Sequence, residues 1–291
     1  MRLYIIGNGF DLAHGLKTKY SDYKKFIKES HNKDWEIVLE YYPEDHPFWS
    51  DAETNICKID PSRFIEMLRA RKLFKDFNDL DDLLKAIHDS FESFIISVER
   101  DVYQKEAMFK LDKNNLFLTF NYTTTLETLY DAKHAIHLHN SAKEAVFKKF
   151  FGVAADDCVF GHSPIFSDFF FYADNRIIGD DKDYITFRKK TTKDCKAIWE
   201  KYDLFKFFLE HQNEIDEVVF YGFSFSKADK YYLQNIFITL PTNKTKYTIY
   251  YHLDDNENEE DKVWNLKMSI ANAGGSFEDM RFVNSLGIIE I

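Results

Sequence analysis

The chain is poor in cysteine, in basic charge and in long apolar runs. Its 3 cysteines are far apart and include no CxxC pair, so we expect reduced thiols and neither a disulfide framework nor a zinc motif. The apolar run near the N-terminus is too short for a signal peptide, and no stretch approaches the length of a membrane span. These features predict a soluble, cytoplasmic protein without a membrane partner.

The charge balance is acidic, with 49 Asp and Glu residues against 38 Lys and Arg, a formal net charge of −11. Proteins that bind duplex DNA without sequence preference carry the opposite balance, because their cations replace phosphate counterions. We therefore expect no nucleic-acid partner. Hydrophobic residues make up 45% of the 291 residues and include 29 Phe and 17 Tyr, which excludes disorder and predicts a Phe-rich core.

Short apolar segments alternate with helical patterns along most of the chain. Helical periodicity without a convincing strand extends from Ser21 to about Gln104, and "AIWEKYDLFKFFLEHQNEI" (197–215) and "SKADKYYLQNIFITL" (226–240) also read as helices. This alternation predicts an α/β, Rossmann-like, mostly parallel sheet flanked by helices. We expect one domain over 1–291 with a large helical insertion, over 21–110, after the first strand. The predicted strands lie at 3–6, 114–122, 134–140, 158–162, 217–224, 247–253 and 281–284.

The first predicted strand ends in Gly-Asn-Gly at residues 7–9. Glycines allow a backbone to approach a ligand closely, and the helix that follows, which Asp11 is expected to cap, offers N–H groups to an anion such as a pyrophosphate. The dinucleotide fingerprint would place a third glycine at position 12, where this chain has Leu12, so the motif is incomplete. Gly7 and Gly9 could equally serve only to shape a tight strand-to-helix turn.

Asn121 and two histidines follow the next two predicted strands. Asn121 in "LTFNYTTTLE" is placed at the carboxyl edge of the sheet, where it could orient a water molecule or a ribose hydroxyl, or only form a turn. In "AIHLHN", alternation puts His137 and His139 on the same face, and a histidine there suits general-base chemistry, although both could be packing residues. No carboxylate or cysteine at a suitable spacing supports a metal site.

Two further apolar segments end in glycine followed by serine, "VFGHSPIFSD" (159–168) and "VFYGFSFSKAD" (219–229). Their turns would bring Ser163, Ser224 and Asp229 to the same edge, with serine capping of the next helix as the alternative. The G-x-S-x-G elbow of a serine hydrolase is absent, since the chain reads G-F-S-F-S at 222–226.

The order of these motifs resembles the AbiH family of bacterial abortive-infection proteins, which protect a population against bacteriophage. The resemblance covers residues 2 to about 290 and is strongest in "IIGNGFDLAHGLKTKYSDY". The residues that match the family's opening motif are Gly7, Asn8, Gly9, Phe10, Asp11, His14, Gly15, Thr18 and Tyr20.

That family is in turn distantly similar to sirtuin-like defence proteins, several of which hydrolyse NAD. This similarity implies that Asn121 and His139 are catalytic, with Asn121 holding the water or ribose and His139 acting as base. NAD is then the expected substrate or ligand, and no metal is expected. The residues implied to bind the nucleotide are Gly7, Asn8, Gly9, Phe10, Asp11, Gly222, Ser224 and Asp229.

Two other functions stay open. Thr123 and Asn140 stand where the sirtuin-like relatives carry Asp and Gly, which favours a nucleotide-binding sensor without catalysis. A nuclease toxin would need clustered carboxylates such as Asp79, Asp81 and Asp82, but these are better explained as charges at a helix start. A phage-derived trigger is an expected partner, and a homo-oligomer is compatible with the sequence although no coiled-coil pattern requires one.

Overall fold

The computed structural model describes residues 1–74, 79–151, 158–162, 182–254 and 257–286. Within them lies a six-stranded sheet with the strand order β3-β2-β1-β4-β5-β6, in which every neighbouring pair is parallel. The predicted α/β, Rossmann-like sheet is confirmed, and this order is the one typical of dinucleotide-binding sheets. The strands are β1 (Arg2–Ile6), β2 (Leu116–Thr119), β3 (Ile136–His137), β4 (Glu217–Tyr221), β5 (Lys246–Tyr251) and β6 (Arg281–Asn284).

Helices occupy most of the sequence between the strands. The longest is Asp79–Val102, and apolar side chains three or four residues apart along it are buried: Leu80, Leu83, Ile87, Phe91, Phe94, Val98 and Val102. The described α-helices are α1 (Gly9–Ala13), α2 (Tyr20–Ser30), α3 (Lys33–Tyr41), α4 (Ala52–Asn55), α5 (Pro61–Phe74), α6 (Asp79–Val102), α7 (Thr125–Tyr130), α8 (Ala142–Phe151), α9 (Lys182–Lys190), α10 (Cys195–Lys201), α11 (Leu204–His211), α12 (Lys230–Thr239) and α13 (Glu259–Asn272).

The chain divides into two compact units. The first comprises Met1–Thr18, Ile96–Cys158 and Cys195–Ile291 and contains the sheet. Its central strands β1 and β4 are buried apolar runs, as a parallel sheet covered on both faces requires. One of its core clusters is rich in aromatic residues and joins β1, β2 and β4 to the first turn and helix α7: Tyr4, Ile6, Phe10, Phe109, Phe117, Leu126, Tyr130, Ala132, Val219 and Tyr221.

The second unit comprises Lys19–Ile95 and Val159–Asp194. Aromatic packing dominates its interior; the Tyr42 and Phe48 rings stack 3.9 Å apart between centroids. The Nζ atom of Lys193 is fully buried and lies 3.0 Å from Glu53 Oε2, which neutralises its charge inside the unit. The division into one domain with an insertion over 21–110 stays a prediction.

Three predicted elements differ from the structure. The strand predicted over 134–140 is limited to Ile136–His137. The segment at 158–162 is not a strand, and among the described residues its β-pairing is the isolated parallel bridge of His162 with Thr192. The helix predicted over 197–215 is two helices, α10 and α11, separated at Asp203, whose φ of 46° lies in the left-handed region and stops the helical path.

Asp11 does not cap a helix, contrary to expectation. Helix α1 begins at Gly9 with Asn8 at the N-cap position, so Asp11 lies inside its first turn. The buried His14 ring anchors the end of this helix. Its Nδ1–H donates to the Phe10 carbonyl at 2.7 Å, and its Nε2 accepts from the Tyr130 hydroxyl at 2.6 Å. Burial lowers the pKa of His14, consistent with this neutral tautomer.

Candidate functional site

The carboxyl ends of four strands meet at one edge of the sheet. Ile6 of β1 is in register with Thr119 of β2 and with Tyr221 of β4, and Thr119 is in register with His137 of β3. The chain leaves β1 for strands on one side of it and later returns to β4 on the other side, so the edge between β1 and β4 is the topological switch point. Open parallel sheets bind their ligands there.

The glycine turns after β1 and β4 pack directly against each other. A Cβ atom at Gly9 would lie 2.5 Å from Gly222 Cα, and one at Gly7 would lie 2.6 Å from the Gly222 carbonyl oxygen. The Gly9 N–H donates to the Gly222 carbonyl at 2.9 Å, and the Gly7 N–H donates to Tyr221 at 3.0 Å. Close approach of two backbones thus requires these glycines, and their part in holding a pyrophosphate stays a prediction.

Asp11 is a buried carboxylate at this edge. Its oxygens accept hydrogen bonds from the hydroxyls of Thr123 at 2.7 Å and Thr125 at 2.8 Å. Burial raises the pKa of Asp11 to about 6, although these two hydroxyls, the nearby side chain of Asn121 and the charge of His137 act in the opposite direction. Asp11 is therefore ionised at neutral pH and becomes protonated on mild acidification.

Asn121 is held at two points. Its side chain lies near enough to Asp11 to lower the pKa of that carboxyl, and its backbone carbonyl accepts from Nδ1 of His137 at 3.0 Å. Its own N–H donates to Thr119 Oγ1 at 3.0 Å, and the residue is only 6% exposed. The predicted Asn121 and Asp11 are thus brought together, with Asn121 fixed in position by both of its neighbours.

His137 makes polar contacts through both ring nitrogens. Besides the Asn121 carbonyl, it contacts Glu127 of helix α7, with Nε2 2.7 Å from Glu127 Oε1. Burial alone would lower the pKa of His137, but the hydrogen bond and the charge of Glu127, together with the bond to Asn121, raise it. Sequence reasoning favoured His139 and missed this role, although His137 stood on the same predicted face.

A second buried carboxylate, Glu99 of helix α6, bonds the same loop. The Thr124 N–H donates to Glu99 Oε2 at 2.9 Å, and the Thr124 hydroxyl donates to Glu99 Oε1. Burial raises the pKa of Glu99, while the bonds from Thr124 lower it. The three consecutive threonines therefore divide between two carboxylates, with Thr123 and Thr125 on Asp11 and Thr124 on Glu99. Sequence reasoning did not identify Glu99, which lies among the apolar positions of a long helix.

His139 lies in aromatic surroundings. It is 2% exposed, and its ring centroid lies 5.5 Å from Phe120, 5.8 Å from Tyr122 and 6.1 Å from Tyr232. The next residue, Asn140, has a φ of 60°, and its Oδ1 accepts from Lys201 Nζ at 2.9 Å and from the Tyr202 hydroxyl at 2.8 Å. The role of His139 as a base stays a prediction.

The remaining predicted residues are spread over different environments. Phe10 is fully buried in the core cluster beneath the first turn. Asn8 is exposed and its side-chain amide donates to the Thr18 carbonyl at 3.2 Å, while Ser224 is exposed as well. Asp229 is buried and accepts from the Ser226 hydroxyl at 3.1 Å. Ser163 lies outside the described residues.

The described part of the chain contains neither a cluster of metal ligands nor a membrane-spanning helix. No group of three or more His, Cys, Asp or Glu side chains there could hold a metal ion. None of the helices described combines the length and the apolarity that crossing a bilayer requires. Cys57, Cys158 and Cys195 are free, buried thiols.

Comparison with known proteins gives one family. A family model described as "Bacteriophage abortive infection AbiH" matches residues 3–251, which extend from β1 to the end of β5. No curated protein matches the chain. The matched region is well over half of the sequence and contains the whole Asp11–Asn121–His137 edge, so the chain belongs to the AbiH family of bacteriophage abortive infection proteins.

Proposed function

We propose that this protein acts in antiphage defence by binding NAD at the carboxyl edge of its sheet and cleaving the bond between nicotinamide and ribose. Family membership supports the defence role. The strand order supports nucleotide binding, because sheets of this order bind nucleotides at the switch point between β1 and β4. The infection trigger would be a phage-derived molecule, and the site of action the cytoplasm.

The observation that carries the proposal is the fixed orientation of Asn121. The backbone of Asn121 is held by Thr119 and His137, and an ionised Asp11, which can only accept hydrogen bonds, favours the orientation that turns the Nδ2 amide of Asn121 toward the carboxylate. Its Oδ1 atom is then the side that can accept a hydrogen bond from a ribose hydroxyl or a water molecule. An amide held in this way needs little reorganisation when a substrate binds.

The reaction requires positioning more than covalent chemistry. As the bond between nicotinamide and ribose breaks, its electron pair leaves with neutral nicotinamide and positive charge develops on the ribose. Water then attacks the ribose carbon and loses a proton, which gives ADP-ribose. In this scheme Asn121 orients the water or the ribose, and His139 accepts the proton.

A comparison of binding with turnover tests the proposal. Purified wild type, Asn121→Ala and His139→Ala are mixed with NAD, and free nicotinamide and NAD affinity are measured with and without lysate from infected cells. Asn114→Ala is the matched control, because Asn114 lies in the exposed turn before β2 and bonds only locally to Asp112. We expect wild type and the control to release nicotinamide, and the two site variants to bind NAD but lose most of the product.

The alternative function is a nucleotide sensor without catalysis. Thr123 and Asn140 favour it, because they stand where the sirtuin-like relatives carry Asp and Gly. In the structure Thr123 donates to Asp11 and Asn140 accepts from Lys201, so neither supplies the Asp or Gly of those relatives. Wild type that binds NAD but forms no product, even with infected-cell lysate, would contradict cleavage and support the sensor.

A further inference from the structure

His137 joins the Asn121 loop to helix α7 through two acceptors. Its Nδ1 lies 3.0 Å from the Asn121 carbonyl oxygen, and its Nε2 lies 2.7 Å from Glu127 Oε1. A backbone carbonyl can only accept a hydrogen bond, and an ionised carboxylate can only accept as well. A neutral imidazole has only one N–H group, so the lone pair on its other nitrogen would face either the Asn121 carbonyl oxygen or the Glu127 carboxylate. Only the imidazolium donates to both.

The charges around His137 favour this protonated form. The carboxylates that face it are Glu127 of α7, Asp11 of α1 and Glu144 of α8, and Glu99 of α6 interacts in turn with Asp11 and Glu127. The second oxygen of Glu127, Oε2, is buried, and no donor among the described residues bonds it. His137 is thus the cation that compensates Glu127 and the nearby buried carboxylate of Asp11.

We propose that His137, protonated on both ring nitrogens, is a positioning residue that ties the Asn121 loop to helix α7 and so keeps the Asn121 side chain beside Asp11. The inference rests on the proposed role of Asn121 in nucleotide cleavage. It also makes the site sensitive to pH. When the solution becomes alkaline enough to remove one proton from His137, one of the two bonds is lost and the loop is released from one anchor.

The protonation state can be measured without any nucleotide. Histidine imidazole signals of the full-length chain are followed by NMR from pH 5 to 9, and His137 is assigned by comparison with His137→Gln. We expect the His137 ring to lose its proton at a pH above the usual range of a histidine, about 6.5, and Glu127→Gln to move that midpoint down because the counter-charge is removed. A neutral His137 ring at pH 7 in wild type would overturn the proposal.

Positioning is measured on Asn121 itself. The side-chain amide signal of Asn121, assigned by its loss in Asn121→Ala, should shift with the same midpoint as the His137 ring. An Asn121 amide signal that does not respond when His137 loses its proton would overturn the positioning role. Because this result needs no turnover, it is independent of whether the protein cleaves NAD.

Kinetics provide the second test. Nicotinamide release should fall as pH rises through the His137 midpoint, and in Glu127→Gln this fall should begin at lower pH. His137→Gln should reduce kcat about tenfold to hundredfold with a smaller effect on KM, the cost typical of a misplaced catalytic group, and His134→Gln should leave both unchanged. A Glu127→Gln profile identical to that of wild type would contradict the inference.

Discussion

At the scale of single residues, the polar cluster beside Asn121 depends on a carboxylate that is costly to bury. Asp11 has its pKa raised from 3.8 to about 6, so the folded state holds its proton more tightly than the unfolded chain does. The contribution of Asp11 to stability is therefore fully present below pH 3.8 and is lost as pH rises through about 6. The hydroxyls of Thr123 and Thr125 and the amide of Asn121 reduce this loss.

Replacement of Thr123 by Val removes one of these donors and nearly preserves side-chain volume. At pH 8, where Asp11 is ionised, we expect the free energy of unfolding to fall by about 1.5 to 3 kcal/mol, the range for a hydrogen bond to a charged group. At pH 5 the carboxyl is mostly protonated and the loss should be smaller. Loss of the Thr123 hydroxyl should also raise the pKa of Asp11 further. If Asp11 must be ionised to orient Asn121, the rate of nicotinamide release should then begin to fall at a pH above 6 as the solution is acidified.

Urea unfolding at the two pH values measures the first effect. Thr239→Val is a matched control, because its hydroxyl donates to a helix carbonyl, that of Asn235, at 2.8 Å and touches no carboxylate in the described structure. Its effect should be the same at pH 5 and pH 8. An equal loss at both pH values in Thr123→Val would show that the Thr123 hydroxyl does not stabilise the charge of Asp11.

At the scale of elements, the turns after β1 and β4 act as one packed unit. Gly222 has a φ of 61°, and a Cβ atom there would lie 2.5 Å from backbone atoms of Gly9 and Phe10. Replacement of Gly222 by Ala therefore adds a backbone clash to left-handed strain. We expect a loss of at least about 3 kcal/mol in the free energy of unfolding, or failure to fold.

A substitution at Gly274 measures the effect of left-handed strain without the backbone clash. Its φ is 83°, but a Cβ atom there would meet nothing within 4 Å, so Gly274→Ala carries strain without a clash. A loss of about 1 to 2 kcal/mol is expected at this position. Thermal and urea unfolding of both variants measure the difference. Similar losses in the two variants would mean that the β1 and β4 turns do not pack as tightly as the structure places them.

The elements that sequence predicted well are those whose burial leaves a local pattern. The apolar runs of β1 and β4 and the helical stripe of α6 are visible because their burial follows the period of the element. The segment 158–162 has the same composition as a strand, yet within the described part of the chain its β-pairing is limited to the bridge at His162, because pairing depends on a distant partner. No local signal distinguishes such a segment from β1.

In the candidate site too, residues marked by the local sequence pattern could be predicted, and residues defined by distant partners could not. Asn121 was predicted from its place after a strand. The contacts of His137 could not be predicted, because the expected alternation over 134–140 treats His137 and His139 alike. In the structure strand β3 ends at His137, so the two histidines have different surroundings. Beyond this point Asn140 takes a left-handed conformation, and His139 packs among aromatic rings. Glu99 was hidden because its partner, Thr124, is 25 positions away.

At the scale of the whole molecule, the parallel sheet joins residues that are remote in sequence. Asp11 and Thr123 are 112 positions apart, and only the pairing of β1 with β2 brings their turns to one edge. The cluster holds Asp11 and Glu99 buried in a chain whose net charge is already −11, with His137 as a compensating cation. Asn121→Ala removes neither a buried carboxylate nor the compensating cation, so this substitution should affect function before it affects the fold.

Infection experiments test this separation in cells. Bacteria that produce wild type, Asn121→Ala or Asn114→Ala at equal levels are challenged with a panel of phages, and plaque counts and cellular NAD are measured. Because Asn121 acts at the site and Asn114 lies in an exposed turn, we expect protection and a fall in NAD with wild type and Asn114→Ala, and neither with Asn121→Ala. Full protection by Asn121→Ala would show that the Asn121 side chain is not required for defence. Protection by wild type with unchanged NAD would instead leave the defence role intact and contradict NAD cleavage.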